Sequence, residues 1–266
     1  GPYKDWVAFG PIIEPMSGLT AAMGYSLEEP RNSGVALVDP TSATSAAAAI
    51  VTAIRSRKKQ VGGSTQIEMS LHEAGVSFNG PWLIDSQLGA PSPVLNNGHP
   101  NMSPHGVYPC KGEDEWLALA CENQNDWATL ARIDDSLDPS WTIKERQECA
   151  HLINLRIAVW CETRTKESAA EELQNMGIAA GPVNTVPDMF KDPQVEERKF
   201  FVPFERAETP MPGNPIKMEG IDPSDWTHCP DLGEHNFELL EDWLGYTPNE
   251  LNHFLEEGVI ADRPPS

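Results

Sequence analysis

The sequence predicts an α/β protein, because helix and strand patterns alternate along much of its 266 residues. An Ala-rich periodic stretch is followed by a short alternating strand pattern, and further along two closely spaced strand patterns precede three helical ones. Hydrophobic residues make up 39% of the chain, which is enough for one or two cores at this length. We therefore expect a globular chain of mixed secondary structure.

The first third of the chain holds one long helix pattern between two short strand patterns. A small and apolar stretch, 12–25, leads into a predicted loop over 26–34, and the apolar run Val35–Val38 then predicts a strand. The helix that follows, up to Lys59, is predicted from its alanines, its periodic branched residues and the basic residues of its last turns. Alternation over 65–70 predicts a second strand.

The middle of the chain begins with a long connection over 89–105, which contains four prolines, two glycines and three asparagines. Such a composition is typical of a linker or a functional loop. Beyond it, Gly106–Cys110 and Glu115–Cys121 predict two strands joined by a turn. Periodic patterns then predict helices at about 123–132, 143–163 and 166–176.

The last part of the chain is a second Pro/Gly-rich linker, 203–233, followed by two helices. The first of them is predicted from about residue 234 to 244. The second is opened by Thr247, with proline next and Glu250 three residues on, which is the order of a capping box.

Charge and composition exclude several classes of protein. The chain has 19 basic and 40 acidic side chains, a net charge of −21, and residues 1–105 contribute only six of the basic and eight of the acidic ones. The acidic excess argues against nucleic-acid binding and against anionic membranes. No apolar run reaches the roughly 20 residues of a membrane span, and no secretory signal is recognisable. Five cysteines without a CxxC pair indicate reduced thiols, so we expect a cytoplasmic protein.

Asp39 is the strongest candidate for chemistry in this chain. It follows the predicted strand and precedes Pro40, which places its side chain at the N-cap of the next helix. The positive end of the helix dipole favours the ionised carboxylate, which could attack an acyl carbon as a nucleophile. Capping alone is the commoner role for an aspartate in this position, and local sequence does not decide between the two.

Six short motifs, in order along the chain, resemble the family III CoA-transferases, also called the CaiB/BaiF family. The resemblance covers essentially all 266 residues. The motifs are Ser17-Gly18-Leu19-Thr20, Gly34 to Pro40, Pro104 to Cys110, Gly177 to Thr185, Asp192-Pro193-Gln194 and Leu232 to Asn236.

The resemblance implies a CoA-transferase, with coenzyme A entering as acyl-CoA and a small carboxylic acid as the second substrate. Asp39 matches the family's nucleophile, which forms an anhydride with the donor acyl group and then an aspartyl-CoA thioester. The resemblance also implies part of a Rossmann-like large domain plus a smaller α/β domain, in an interlocked dimer. On this basis the domains are 1–90, a linker 91–104, a small domain 105–226, and C-terminal helices 227–266 that return to the large domain.

An N-terminal portion that the resemblance implies is not found in this sequence. Members of the family use it to build half of the Rossmann-like domain and to contact CoA. We expect a separate segment or a partner subunit to complete the site, in a homo- or hetero-oligomer. One alternative is a non-catalytic subunit of a hetero-oligomeric transferase, although such a subunit would not need Asp39.

A second alternative is an acyl-CoA racemase or isomerase, an activity also found in this family. Its catalytic histidine would fall at Phe9, and phenylalanine cannot accept a proton. Glu122 matches a glutamate of the racemases and is a second catalytic candidate, although an acidic residue at the end of a strand is often a capping or solvated group.

His99 and His105 flank a loop that in position resembles the active-site loop of the transferases. It lacks the run of glycines found in formyl-CoA transferases, which argues against formate or oxalate exchange. Hydrogen-bonded loop residues are the commoner role for such histidines. No histidines and cysteines stand at metal-ligand spacing, so we expect no metal.

Overall fold

The computed structural model describes residues 1–26, 28–57, 64–89, 96–203, 209–220 and 229–263. The mixed α/β class is confirmed. The chain divides into two compact units, Gly1–Val183 and Asn184–Ser266. The four-part domain division given above stays a prediction.

The first unit begins with a helical region, residues 10–87. Its five helices are α1 (Gly10–Met16), α2 (Leu19–Met23), α3 (Val38–Arg57), α4 (Leu71–Phe78) and α5 (Gly80–Gln87). Helix α1 contacts α2, α3 and α4, and α3 contacts α4. Gly75 allows the close crossing of α4, since a β-carbon there would lie 2.7 Å from Ser17 Oγ and 3.1 Å from Val38 Cγ1.

Both strands predicted in this region are wrong. The backbone at Ala36 is left-handed, with φ of 48°, so residues 35–38 form a turn into α3 instead of a strand. Residues 64–70 have no strand pairing with the described part of the chain, and Ser70 instead caps α4 by accepting a hydrogen bond from the Glu73 amide at 3.3 Å. An alternating sequence becomes a strand only where another strand can bond to it.

The long helix predicted up to Lys59 is confirmed as α3, as far as Arg57. Lys59 itself lies outside the described residues. The branched residues that predicted the helix are not buried: Ile50, Val51 and Ile54 are 49%, 65% and 58% exposed. These three side chains form an apolar stripe at helical spacing on α3.

The second part of the first unit is a sheet region, residues 105–182. Strands β1 (His105–Pro109), β2 (Trp116–Ala120) and β3 (Ala179–Pro182) form an antiparallel sheet in the order β1-β2-β3. The register pairs His105 with Ala120 and Leu117 with Pro182. The first two strands lie within one residue of their predicted positions.

Helices cover one side of this sheet: α6 (Gln124–Leu130), a 3₁₀ turn (Ala131–Ile133), α7 (Ile143–Glu148), α8 (Ala150–Glu162) and α9 (Lys166–Asn175). Leu117 and Leu119 of β2 face them, together with Ile153 and Ile157 of α8, all at most 3% exposed. The single helix predicted over 143–163 is instead two, because the backbone at Cys149 leaves the helical conformation.

The second unit contains four helices and a two-stranded antiparallel ribbon in its described residues. They are α10 (Val186–Met189), α11 (Pro193–Glu197), β4 (Phe201–Val202), β5 (Met211–Pro212), α12 (Asn236–Leu244) and α13 (Pro248–Glu256). The capping box predicted at Thr247 is confirmed: its hydroxyl accepts from the Glu250 amide, and the Glu250 carboxylate accepts from the Thr247 amide at 2.8 Å.

Across the described parts of both units, none of the helices has the length and apolar character needed to cross a membrane.

Candidate functional site

Asp39 lies in the first turn of α3 and is exposed to solvent. The prediction that Asp39 is the N-cap residue is wrong, because the helix already begins at Val38 and Asp39 lies inside its first turn. The shift follows from the turn at Ala36, whose carbonyl accepts a hydrogen bond from the Asp39 amide at 3.0 Å. The carboxylate still lies near the positive end of the α3 dipole, where a negative charge is favoured.

Gly10, the first residue of α1, lies directly against the Asp39 carboxylate. A β-carbon built at Gly10 would lie 1.8 Å from Asp39 Oδ2 and 2.8 Å from the Ala36 β-carbon. Only glycine leaves room for the carboxylate at this place. The two residues are 29 positions apart in sequence and are brought together by the contact of α1 with α3.

Phe9 precedes Gly10 and is 73% exposed. It forms the N-cap of α1 in extended backbone conformation. The resemblance implies that the catalytic histidine of the racemases would stand at Phe9. That position therefore adjoins the glycine that contacts Asp39. A phenyl ring there can line a site but cannot transfer a proton.

Glu14, one helical turn after Gly10, is fully buried. Its carboxylate accepts hydrogen bonds from the Ser33 hydroxyl at 2.6 Å, the Ser33 amide at 2.9 Å and the Leu37 amide at 2.6 Å. Burial raises the pKa of Glu14, but the hydrogen bonds from Ser33 and Leu37 outweigh burial and hold the pKa below its ordinary value. The group is therefore a charged carboxylate at neutral pH.

Further hydrogen bonds fix the surroundings of α1 and α3. The Ser17 hydroxyl donates to the Glu14 carbonyl at 2.8 Å, and the Asn79 side-chain amide donates to the Ser17 carbonyl at 2.5 Å. The Ser42 hydroxyl donates to the Val38 carbonyl at 2.6 Å. These polar side chains are all less than 10% exposed, so the base of the site is held by buried hydrogen bonds.

Glu122 lies just after β2 and is exposed. Its amide donates to the Asp126 carboxylate at 3.0 Å, in the turn that opens α6. Within the described residues, no hydrogen bond joins Glu122 to Asp39 or to the residues around it.

His99 and His105 lie close together, with ring centroids 5.5 Å apart. Nδ1 of His99 accepts from the Asn101 amide at 3.1 Å, and His105 Nδ1 lies 2.7 Å from the Asn97 carbonyl. Because a carbonyl only accepts, the second contact places a proton on His105 Nδ1. His105 also lines an open cavity of about 440 Å³ beside β1.

The loop that carries these histidines is tied to α7. The buried Arg146 guanidinium donates to the Ser103 carbonyl at 2.5 Å, and the Gln147 side chain donates to the Pro100 carbonyl at 2.9 Å. The structure thus brings the two histidines together on an anchored loop. It does not bond them to Asp39 in the part of the chain that is described.

Two buried thiols of the sheet region, Cys121 and Cys161, are poor alternatives to a carboxylate nucleophile. Burial raises the pKa of Cys121 to about 12, with a further contribution from Asp126. Burial likewise raises the pKa of Cys161 to about 12. A thiol that stays protonated at neutral pH is a weak nucleophile.

The described residues contain no group of three or more histidine, cysteine, aspartate or glutamate side chains that could hold a metal ion. Pro40 stands next to Asp39 in the first turn of α3, where its missing amide hydrogen costs no helical bond. Asp39 thus offers an exposed carboxylate at the start of a helix.

Comparison with known sequences decides the family. The sequence model of CoA-transferase family III matches residues 1–236. The chain belongs to CoA-transferase family III.

Two relatives of this family III chain are named for the acids they act on. Succinate–glutarate CoA-transferase of Agrobacterium fabrum is 30% identical over 256 residues, covering 90% of this chain and 62% of the relative. Succinyl-CoA–D-citramalate CoA-transferase of Chloroflexus aurantiacus is 27% identical over 274 residues, covering 98% of this chain and 66% of the relative. The family III chain thus spans less than two thirds of the length of these relatives.

A solved structure agrees with the fold. The crystal structure of a CaiB/BaiF family protein from Brucella suis superposes on this family III chain with a TM-score of 0.72 at 24% identity. The match covers 90% of this chain and 64% of the Brucella suis chain. At this identity the likeness supports the fold alone.

Three residues of the site in this family III chain were not singled out from the sequence: Gly10, Glu14 and Ser33. A lone carboxylate inside the apolar stretch 12–25 was the available signal for Glu14. Nothing local to Gly10 indicates its contact with Asp39, because that contact depends on how two distant helices pack.

Proposed function

We propose that this chain is the nucleophile-bearing part of an acyl-CoA:carboxylate CoA-transferase, with Asp39 as the nucleophile. The observation that carries the proposal is the exposed Asp39 carboxylate held in the first turn of α3 against the backbone of Gly10. Membership of family III is the second support. The names of the relatives make succinyl-CoA and small dicarboxylic acids the first substrates to test.

In the proposed reaction, an Asp39 oxygen attacks the thioester carbonyl of the donor and CoA leaves as the thiolate. The product is a mixed anhydride between Asp39 and the donor acyl group. The thiolate then attacks the Asp39 carbonyl, and the donor leaves as its free carboxylate. Asp39 is now an aspartyl-CoA thioester.

The acceptor carboxylate runs the same two steps in reverse. Its oxygen attacks the Asp39 thioester carbonyl and releases the thiolate, giving an anhydride with the acceptor. The thiolate attacks the acceptor carbonyl and frees Asp39 as a carboxylate. Each tetrahedral oxyanion needs hydrogen-bond donors, and amides near a helix start are suited to that task.

Glu122, His99 and His105 are further candidate residues of the site. We propose Glu122 as a group that orients substrate, and the two histidines as part of the loop that covers the site. Support for the loop is its anchoring through Arg146 and the cavity beside His105.

We also propose that residues outside this chain complete the CoA site, as another segment or as a partner subunit in an interlocked dimer of Rossmann-like domains. The exposed apolar stripe of Ile50, Val51 and Ile54 on α3 supports a covering element. The five free thiols support a reducing, cytoplasmic setting.

Trapping of the intermediate tests the function. The complete native protein that contains this chain is incubated with succinyl-CoA and hydroxylamine. Hydroxylamine attacks the Asp39 thioester, a C–N bond forms, and CoA leaves as the thiol, so Asp39 becomes a hydroxamate that mass spectrometry locates. A missing adduct together with deuterium exchange at the substrate α-carbon would favour the racemase instead.

The matched control for trapping is Asp85→Asn, which alters another exposed aspartate in the first unit. We expect the D85N protein to form the Asp39 hydroxamate as the unaltered protein does. The Asp39→Asn protein should form none.

A further inference from the structure

Glu14 is a buried charge with no described cation beside it. Its side chain is fully buried, and it forms no ion pair with any residue in the described ranges. Removing a carboxylate from water is costly unless hydrogen bonds replace the lost solvation. Here three hydrogen bonds replace that solvation, so the effect of the charge depends on which part of the chain those bonds hold.

The three hydrogen bonds that described residues donate to the Glu14 carboxylate all come from one short segment, Ser33–Leu37. The Ser33 hydroxyl and the Leu37 amide donate to Oε1, and the Ser33 amide donates to Oε2. The donors are 19 to 23 residues away in sequence. The carboxylate therefore fastens this segment to α1.

The segment held by Glu14 leads directly to Asp39. Ala36 lies inside it with a left-handed backbone, and the Ala36 carbonyl accepts from the Asp39 amide at 3.0 Å. A non-glycine residue with positive φ is held there by its surroundings. Fixing the amides on both sides of Ala36 fixes the turn from which α3 starts.

Helix α1 thus touches the region of Asp39 at two successive turns. Gly10 abuts the Asp39 carboxylate, and Glu14, four residues later on the same helix face, holds the preceding turn. We propose that Glu14 is a positioning residue that sets the Asp39 carboxylate against Gly10 for attack on the thioester. This inference rests on the proposed role of Asp39 as nucleophile.

The central test compares Glu14→Gln with Glu28→Gln in the complete native protein. The first change keeps the size of the side chain but turns an N–H toward the Ser33 amide in place of an accepting oxygen. The second removes an equal charge from an exposed loop position. We measure kcat and KM for succinyl-CoA, the rate of Asp39 hydroxamate formation, and the melting temperature.

For E14Q we expect kcat and the trapping rate to fall together by about 10- to 100-fold, because a small misplacement of a reacting group slows a reaction by about this factor. KM should stay within about threefold, because a positioning residue changes the reacting group and leaves the contacts that bind substrate in place. E28Q should behave as the unaltered protein. A purely structural Glu14 would lower the melting temperature and leave kcat unchanged at a temperature where the variant is folded, and that result would overturn the inference.

Ser33→Ala serves where E14Q does not fold. It removes the hydroxyl's short bond to Glu14 at 2.6 Å, together with the longer bond that the hydroxyl accepts from the Val35 amide at 3.3 Å. It should lower kcat by about threefold to tenfold with KM held. Unchanged kcat in S33A would overturn the inference. Failure of the proposed function looks different: Asp39→Asn would then retain CoA transfer, whatever the Glu14 variants do.

Discussion

The helical region and the sheet region of the first unit differ in the balance of apolar and polar side chains that they bury. The sheet region has a hydrophobic core of sixteen residues, and its buried charged side chains are Arg146 and Lys166. In the described part of the helical region, the buried apolar side chains are only Leu19, Ala22 and Val38. They share the interior with the buried polar side chains Glu14, Ser17, Ser42 and Asn79.

From this difference we infer that the sheet region mainly stabilises the fold and that the helical region mainly positions Asp39. Close packing of apolar side chains gives the sheet region its stability. Hydrogen bonds around Glu14 give the helical region a defined geometry at Asp39 instead, because such bonds are directional and apolar contacts are not. Changes near Asp39 should therefore alter activity more than stability, and changes in the sheet core should do the reverse.

The largest expected effect is the loss of activity in Asp39→Asn. The amide is not a nucleophile, so kcat should fall by about four orders of magnitude or more. The free energy of unfolding should change by no more than about 0.5 kcal/mol, because the side chain is exposed. Steady-state transfer assays and urea denaturation measure the two quantities, with Asp85→Asn as the control.

A core change should give the opposite pattern. Leu117 is fully buried in the sheet region, so Leu117→Ala should lower the free energy of unfolding by about 2 to 5 kcal/mol. Leu155→Ala, on the half-exposed side of α8, is the matched control and should cost about 0.5 kcal/mol or less. If L117A lost much more activity than its unfolded fraction explains, the assignment of stability to the sheet region and of activity to the helical region would be contradicted.

Gly10→Ala tests the contact at Asp39 with a single methyl group. Because that methyl would meet Asp39 Oδ2, the carboxylate must move, and kcat should fall by about 100-fold. Gly80→Ala is a close control: Gly80 also begins a helix and also precedes proline, but a methyl group added there would have no atom within 4 Å. Equal effects of the two changes in the transfer assay would show that the contact is unimportant.

The smallest effect concerns acid stability. The pKa of Glu14 lies below its unfolded value of 4.5, so its contribution to stability is present above that pH and is lost as the pH falls through the folded pKa. The Glu14→Gln protein lacks this contribution. Urea denaturation between about pH 6 and pH 3 should show a weaker pH dependence for E14Q than for the unaltered protein. If the free energy of unfolding changed with pH equally in both proteins, Glu14 would not be a charged carboxylate in the folded state.

The sheet region could be predicted from the sequence because its signals are local. The strand pattern over Glu115–Cys121 gives β2, and the periodic pattern at about 166–176 gives α9. The break at Cys149 could not be predicted, since neither glycine nor proline marks it.

The helical region was predicted less well because its structure depends on distant partners. The run Val35–Val38 has the composition of a strand, yet Glu14 and the turn at Ala36 hold it in another conformation. Asp39 could be predicted as a candidate from the sequence because the motif around it resembles a known family, and its role stays a prediction. The fit of Gly10 against it is a tertiary contact with no local signal.

Transfer of labelled oxygen tests the central claim most directly. The complete native protein is turned over with succinyl-CoA and an acceptor acid whose carboxylate carries oxygen-18, and the peptide containing Asp39 is then analysed by mass spectrometry. If Asp39 forms an anhydride with the acceptor, attack of the thiolate on the acceptor carbonyl leaves one oxygen-18 atom in the Asp39 carboxylate. Efficient CoA transfer with no label in Asp39 would contradict the account.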